Sequence, residues 1–308
     1  MHPASRQALE RLVMAALSFC AVMGVVYAAF FVIPAKASLP RRQARVNVKE
    51  PHGYFTYVWH LLRHGDLGNS IVFREPVTTH VMRAAPVTLS LVVGGIVCAI
   101  VVSLVPLLRL PNALDKTVSL ASLTGMSLHP VWLSLIVAWF FGAHWGVLPT
   151  GGYCGIASLG TGCDGLSHWA SHLLLPWLVF GLINGAYYSL ALRTLLHTEL
   201  AEDYVREARA HGTGERRIVR VHVLRNIAPS LLMLFVTNLG VAISSVIFIE
   251  SIFGLPGMGN MFRRSLLQHD LPVSAGIMVI LALSTLAASL LADLATIALP
   301  VQRSTRTS

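Results

Sequence analysis

The sequence predicts an all-α integral membrane protein with six transmembrane helices. Of its 308 residues 55% are apolar and 12% are charged, against about 25% charged in an ordinary soluble domain. The mean hydropathy is +0.66. The apolar residues are also gathered into long uncharged runs instead of being spread as soluble cores require. A water-soluble enzyme, a disordered chain and a collagen-like chain are all excluded. Four Cys exclude a disulfide-dense secreted scaffold.

The runs define the spans. Residues 12–35 and 84–108 contain no Asp, Glu, Lys or Arg. A longer uncharged stretch has its usable apolar core at 118–141, followed by a tail rich in Gly and turn residues. Runs at 169–192, 227–249 and 271–292 complete the set. Each is near the ~20 residues that cross the hydrocarbon as a helix. Lipid offers the backbone no hydrogen-bond partners, which favours helices, and the polar/apolar alternation of barrel strands is absent. The first run exceeds the ~7–15 residues of a signal core. It ends in Phe30-Phe31-Val32-Ile33, with no small-residue cleavage site, so it is kept as a span.

A single transmembrane domain over 1–308 follows, and basic residues orient it. With the N-terminus inside, 13 of 23 Lys and Arg fall in inside segments, including seven Arg in the 193–226 loop. The outside loop 36–83 carries eight, but long loops are translocated with weak regard for charge. Both termini are therefore placed on the cytoplasmic side. The first outside loop holds an aromatic, helix-compatible stretch, Tyr54–His64, then turn chemistry at Gly65-Asp66-Leu67-Gly68-Asn69-Ser70. The second holds Cys154 and Cys163, whose spacing and compartment permit a disulfide.

Chemistry-bearing motifs are few. No Gly-rich phosphate loop ending in Lys-Ser/Thr is present, so no nucleotide site is expected in the chain. His60/His64 and His168/His172 have i,i+4 spacing, but no Glu follows either first His, and no metal site is assigned. No nucleophile/base constellation supports an intramembrane enzyme.

The inside segment before the fifth span is the most informative. Residues 199–211 predict a helix with Leu200, Tyr204, Val205 and Ala208 on one face. Gly212 is a helix stop, and a second charged helix over 215–226 runs into span five. Such a helix–turn–helix presents a rigid surface to a protein partner. A basic loop lying on anionic lipid headgroups is the alternative from composition.

The same segment resembles the cytoplasmic coupling loop of bacterial ABC importer permeases. Their general pattern, Glu-Ala-Ala-x3-Gly-x9-Ile-x-Leu-Pro, is kept loosely around Arg206, Glu207, Ala208 and Gly212. The version of the dipeptide/oligopeptide branch is matched almost throughout by residues 203–212, Glu215-Arg216-Arg217 and 222–226. Further stretches agree: Gly65 to Ser70 with Pro76-Val77, Pro86-Val87-Thr88-Leu89, Gly146-Val147-Leu148-Pro149, residues 250–259, and His269-Asp270. Three departures are Pro34-Ala35-Lys36-Ala37 after span one, the Cys-bearing insert in the second outside loop, and the tail Leu299-Pro300-Val301 in place of the family's Asp-Pro-Arg.

This resemblance implies a type I ABC importer permease in the bacterial inner membrane, of the B-type subunit with a large first outside loop. It implies a second homologous permease chain, two ATPase subunits that bind ATP and Mg, an external substrate-binding protein and a peptide substrate, with lipid around the chain and no nucleic acid. No cofactor is expected in this chain. Coupling to the ATPases is assigned to Tyr204, Arg206, Glu207, Ala208, Arg209, Gly212, Glu215, Arg216 and Arg217.

Polar residues within spans are pathway candidates by default, with interhelical hydrogen bonding as the competing role. They are Asn184, Tyr187, Asn238 and, beside the bend after span five, Glu250 as an outer gate. Phe253, Gly254, Leu255, Pro256, Gly257, Met258 and Phe262 are candidates for docking the binding protein, or else form a plain Gly-rich loop. The competing function is an ion-coupled secondary transporter, which typically shows internal repeats and several mid-membrane charges.

Overall fold

The computed structural model describes residues 3–32, 53–108, 114–154 and 165–298. Ten α-helices carry the described chain: α1 (Pro3–Tyr27), α2 (Tyr54–His64), α3 (Val77–Leu108), α4 (Leu114–Ser127), α5 (Pro130–Val137), α6 (Leu166–Leu200), α7 (Asp203–Ala210), α8 (Leu224–Ile252), α9 (Met258–Leu267) and α10 (Leu271–Ala298). α1 continues in π geometry over Ala28–Val32 and α5 over Ala138–His144. α8 is entered through a single turn, Glu215–Arg217, and a π segment, Ile218–Val223. Among the described residues there is no strand, only an isolated bridge between Asn69 and Pro76 that closes the turn before α3.

Five helical stretches are long and apolar enough to cross a bilayer: Val13–Val32, Val77–Leu104, Leu166–Leu200, Ile218–Asn238 and Leu271–Leu291. The stretch expected as a third continuous span, 118–141, is instead two helices in series, α4 and α5. The break is at His129, whose ψ of 139° is extended. Pro130 causes it, because a proline ring disfavours the helical region for the residue before it. Pro130 then occupies the first turn of α5, where its missing N–H is harmless. The His129 side chain accepts from the Val131 amide at 3.3 Å, capping the new helix.

In lipid, apolar contact between helices displaces hydrocarbon instead of water, so close packing has to supply the attraction. α3 and α6 show how. Gly94 and Gly95 on α3 face Trp177 and Phe180 of α6, while Gly181 and Gly185 on α6 face Cys98 and Val102 of α3. A Cβ on these four glycines would come within 2.1, 2.5, 2.5 and 2.7 Å of the facing side chains. Trp177 Nε1 donates to the Ser90 carbonyl at 2.9 Å and fixes the register.

The buried side chains form three clusters. One joins α1, α2, the start of α3 and α10 through Met23, Tyr57, Leu61, Val77 and Ile277. A second joins α3, α5, α6 and α8 through Leu91, Val137, Phe180, Ile249 and Phe253. The third lies where α6 ends and α8 begins, and gathers Leu192, Leu196, Val205, Ile218, Val223 and Ile227. Outside these clusters the helices expose large apolar faces, as Leu17, Val25, Val93, Val97, Trp132 and Trp139 do.

Candidate functional site

The segment expected to couple to a partner is built on the third cluster. The helix expected over 199–211 is shorter than that reading. α6 runs on to Leu200, a turn at Ala201-Glu202 follows, and α7 begins at Asp203. α7 is anchored by Val205, which is fully buried among the ends of α6 and α8. Tyr204 is half-buried, and its hydroxyl donates to Glu199 Oε1 at 3.0 Å; Asn226 Nδ2 donates to the same oxygen at 3.1 Å. That shared carboxylate ties the end of α6, the start of α7 and the start of α8 together. Burial and the Glu199 contact push the Tyr204 phenol up to about 12. It is therefore a neutral donor across the physiological range.

α7 ends as the sequence predicts. Gly212 adopts φ 79°, a left-handed conformation that a Cβ disfavours. The Thr213 amide donates back to the Ala208 carbonyl at 3.0 Å and the Gly212 amide to Arg209 at 2.9 Å. Arg206, Glu207, Arg209, Gly212, Glu215 and Arg217 are exposed and Ala208 is half-exposed. Arg209 is not a free cation: it bridges the turn to Glu215, with Nη2 at 3.4 Å from Oε2. Arg206 pairs with Asp203 at 3.4 Å. The side chain of Arg216 lies outside the described set.

Glu250 is fully buried. Its carboxylate accepts from Thr88 Oγ1 at 2.6 Å and from the Asn260 amide at 3.0 Å, and the Gly259 amide also donates to it. Thr88 Oγ1 in turn accepts from the Met258 amide at 2.8 Å. The carboxylate thus sits at the N-terminus of α9, where unpaired amides favour an anion, and joins α3, α8 and α9. The site is closed by Gly257, where a Cβ would lie 2.2 Å from Glu250 Oε1. The residue read as an outer gate is placed as a joint between three helices.

The stretch expected to dock a partner divides by burial. Phe253, Leu255, Gly257 and Met258 turn inward, with Phe253 and Leu255 in the second cluster. Gly254 and Pro256 face outward and Phe262 is half-buried. The Phe253 carbonyl accepts from the Gly152 amide at 3.1 Å, so the bend is held by the loop after α5. Among the outward positions only the glycine and the proline can meet another protein directly.

In the bundle interior Asn238 Nδ2 donates to Asn184 Oδ1 at 3.1 Å and reaches Tyr188 Oη at 3.3 Å, and Asn184 Nδ2 donates to the Phe180 carbonyl at 2.9 Å. Asn184 and Tyr188 line a small cavity of about 20 Å³ with Phe180 and Phe235. Asn184 and Asn238 are brought together. Tyr187 is not in that network and packs edge-on against Tyr188, which the sequence reading passed over. Cys154 is disulfide-bonded, Cys20 and Cys98 are free thiols, and Cys163 lies outside the described residues. Among the described residues no group of three His, Cys, Asp or Glu is placed to hold a metal ion.

A second joint was missed. Asp270, buried just before α10, accepts from the Ser70 hydroxyl, from the Ile71 amide at 3.1 Å and from the Val72 amide at 3.4 Å. It clamps the turn before α3 to the last helix. Asp270→Ala is expected to strand the buried Ser70 hydroxyl, at about 1–3 kcal/mol, and to release the less buried Ile71 and Val72 amides. Limited proteolysis near residues 70–74 should accelerate in that variant while Asp270→Asn retains part of the protection.

Residues 92–299 match the family described as binding-protein-dependent transport system inner membrane component. The chain is 30% identical over 242 residues to a Brucella abortus (strain 2308) protein with the provisional name peptide transport system permease protein, covering 77% of this chain and 75% of that one. It is 29% identical over 262 residues to the dipeptide transport system permease protein DppB of Escherichia coli (strain K12), covering 78% and 77%. The oligopeptide transport system permease protein AppB of Bacillus subtilis (strain 168) is 30% identical over 235 residues, covering 75% and 73%.

A helical bundle with five stretches able to cross a bilayer and exposed apolar surfaces, taken with these matches, is a multi-pass permease of the inner membrane. The chain belongs to the binding-protein-dependent transport system inner membrane component family, the membrane subunits of ABC importers, with their type I permease fold. Membership sets aside the ion-coupled secondary transporter.

Proposed function

We propose that the chain is the B-type permease of an ATP-driven importer of dipeptides or oligopeptides. A second homologous permease, two ATPase subunits and an external substrate-binding protein complete the assembly. Both termini and the 193–226 loop face the cytoplasm. ATP and Mg are bound by the ATPase subunits, and this chain contributes no bond-breaking step.

The observation that carries this reading is α7. It is short, rooted by Val205 in the third cluster, against which Ala208 also packs, and presents Arg206, Glu207 and Arg209 outward from the protein. A rigid projection of this kind can fit a groove on an ATPase and convert its closure into helix tilting, a two-state coupling. The peptide substrate rests on the names of the relatives.

The first test is purification of the tagged chain in mild detergent, expressed with its native chromosomal neighbourhood, and mass spectrometry of what accompanies it. A second permease chain and two ATPases are expected; recovery of the chain alone in several detergents would overturn the assembly. Peptide uptake into cells should be blocked by vanadate and resist a protonophore. Ala208→Glu is expected to lower uptake at least about tenfold, since an unpaired charge at a closed protein interface costs more than the ~1.4 kcal/mol that tenfold represents. Normal uptake by that variant would remove α7 from the docking site.

A further inference from the structure

The 36–83 loop reads as an outside loop, yet α2 inside it has two apolar faces. Tyr54, Tyr57, Val58 and Leu61 pack into the first cluster. Phe55, Trp59 and Leu62 form a second apolar strip at i, i+4 and i+7, and they are 84%, 58% and 64% exposed. The remaining arc carries His60, Arg63 and His64, also exposed. A helix in water has no use for an uncovered strip of Phe, Trp and Leu beside a buried one.

The neighbours of α2 fix its depth. The Tyr54 hydroxyl donates to the Cys20 carbonyl at 2.8 Å. The Tyr54 ring meets Tyr27 at 5.9 Å, and Tyr57 meets Tyr27 and Phe31 at 5.9 and 5.3 Å. All these partners lie in the apolar span Val13–Val32. Cys20 is twelve residues before the end of that span, about 18 Å along a helix axis. α2 therefore stands beside α1, running in the same direction, and does not sit beyond its end. Its strip continues the exposed apolar surface of α1, where Leu17 is 59% and Val25 is 68% exposed.

We propose that α2 is seated in the bilayer leaflet at the Val32 end of α1, with Phe55, Trp59 and Leu62 against acyl chains and Arg63 at the phosphates. The Arg63 guanidinium lies over the Trp59 ring, 5.6 Å from its centroid. A cation held over an indole is the pairing expected where an apolar surface meets anionic headgroups. The polar arc of His60, Arg63 and His64 then faces water or headgroups, and three arcs of one helix meet protein, lipid and water.

The test reads Trp59 in the assembled transporter, reconstituted into phosphatidylcholine/phosphatidylglycerol vesicles with and without brominated acyl chains. The emission of Trp59 is taken as the difference between the natural chain and Trp59→Phe. Loss of most of that emission in brominated vesicles, with little loss to acrylamide, is expected. Quenching by acrylamide alone would return α2 to the aqueous loop. Protection from both quenchers would mean that a protein subunit covers the strip, and would equally overturn the proposal. Should Trp59→Phe fail to insert, Phe55→Cys carrying a nitroxide label, read against the labelled natural chain, should collide with oxygen more than with a water-soluble nickel chelate. The reverse order of accessibility would overturn it. Neither readout depends on the transported solute or on the coupling helix.

Discussion

Gly257→Val is expected to lose most of the chain from the membrane fraction and to lower sharply the melting temperature of what remains. The space for its side chain is occupied by the Glu250 carboxylate, 2.2 Å from where a Cβ would lie. That carboxylate cannot simply turn away. It holds the Thr88 hydroxyl and the amides of Gly259 and Asn260, and each buried group left unsatisfied costs about 1–3 kcal/mol. The other escape moves α9, which Met258 and Asn260 anchor by their own hydrogen bonds. Either way the cost approaches the ~5–15 kcal/mol by which a domain is stable. Thr88→Ala removes two of these contacts without adding bulk and should fall between the natural chain and Gly257→Val. Natural abundance and an unchanged melting temperature for Gly257→Val would show that α9 is not held by the carboxylate.

Gly212→Pro is expected to abolish uptake while leaving the chain inserted and associated with its partners. The observed φ of 79° is unavailable to proline, whose ring fixes φ near about −65°. The Gly212 amide bond to Arg209 at 2.9 Å is lost at the same time. The turn must then reform, and α7 is aimed elsewhere relative to Glu215 and the entry into α8. Gly212→Ala strains the same position by about 1–2 kcal/mol and should retain partial uptake. The comparison to make is uptake against membrane abundance for both variants. Uptake near the natural level for Gly212→Pro would place coupling elsewhere.

The helices were legible wherever composition alone decides. Uncharged runs near 20 residues have no other stable form in lipid, and Gly212 stops α7 because of its own conformational freedom. The His129-Pro130 break was also written in the sequence, as a rule about the residue before proline, but the absence of any charge over 118–141 outweighed it. So was the Gly181-x3-Gly185 spacing that lets α6 approach α3. The two joints were not legible. Thr88 and Glu250 are 162 residues apart, and Ser70 and Asp270 are 200 apart. A hydrogen bond between distant segments leaves no periodicity to read. The division of the docking stretch was hidden for a related reason. Phe253, Gly254, Leu255 and Pro256 alternate buried and exposed, and their common membership of one motif hides which of them face outward. Val205 was placed on the apolar face of the coupling helix, but only the ends of α6 and α8 give that face something to grip.

The unbroken length of α8 has a mechanical consequence. Its 29 residues make a rod of about 44 Å, with the third cluster at one end and the Glu250 joint at the other. A load applied to α7 enters this rod at its foot. A tilt of about 10° there would carry the far end sideways by roughly 8 Å for a rod of that length, more than the width of a peptide backbone. Pro229, three residues after Asn226, lies at the foot, where a missing backbone hydrogen bond makes bending cheapest. For a load taken up at α7, the chain thus has the parts of a lever: a bendable foot at Pro229, a stiff arm, and an output end at the Glu250 joint.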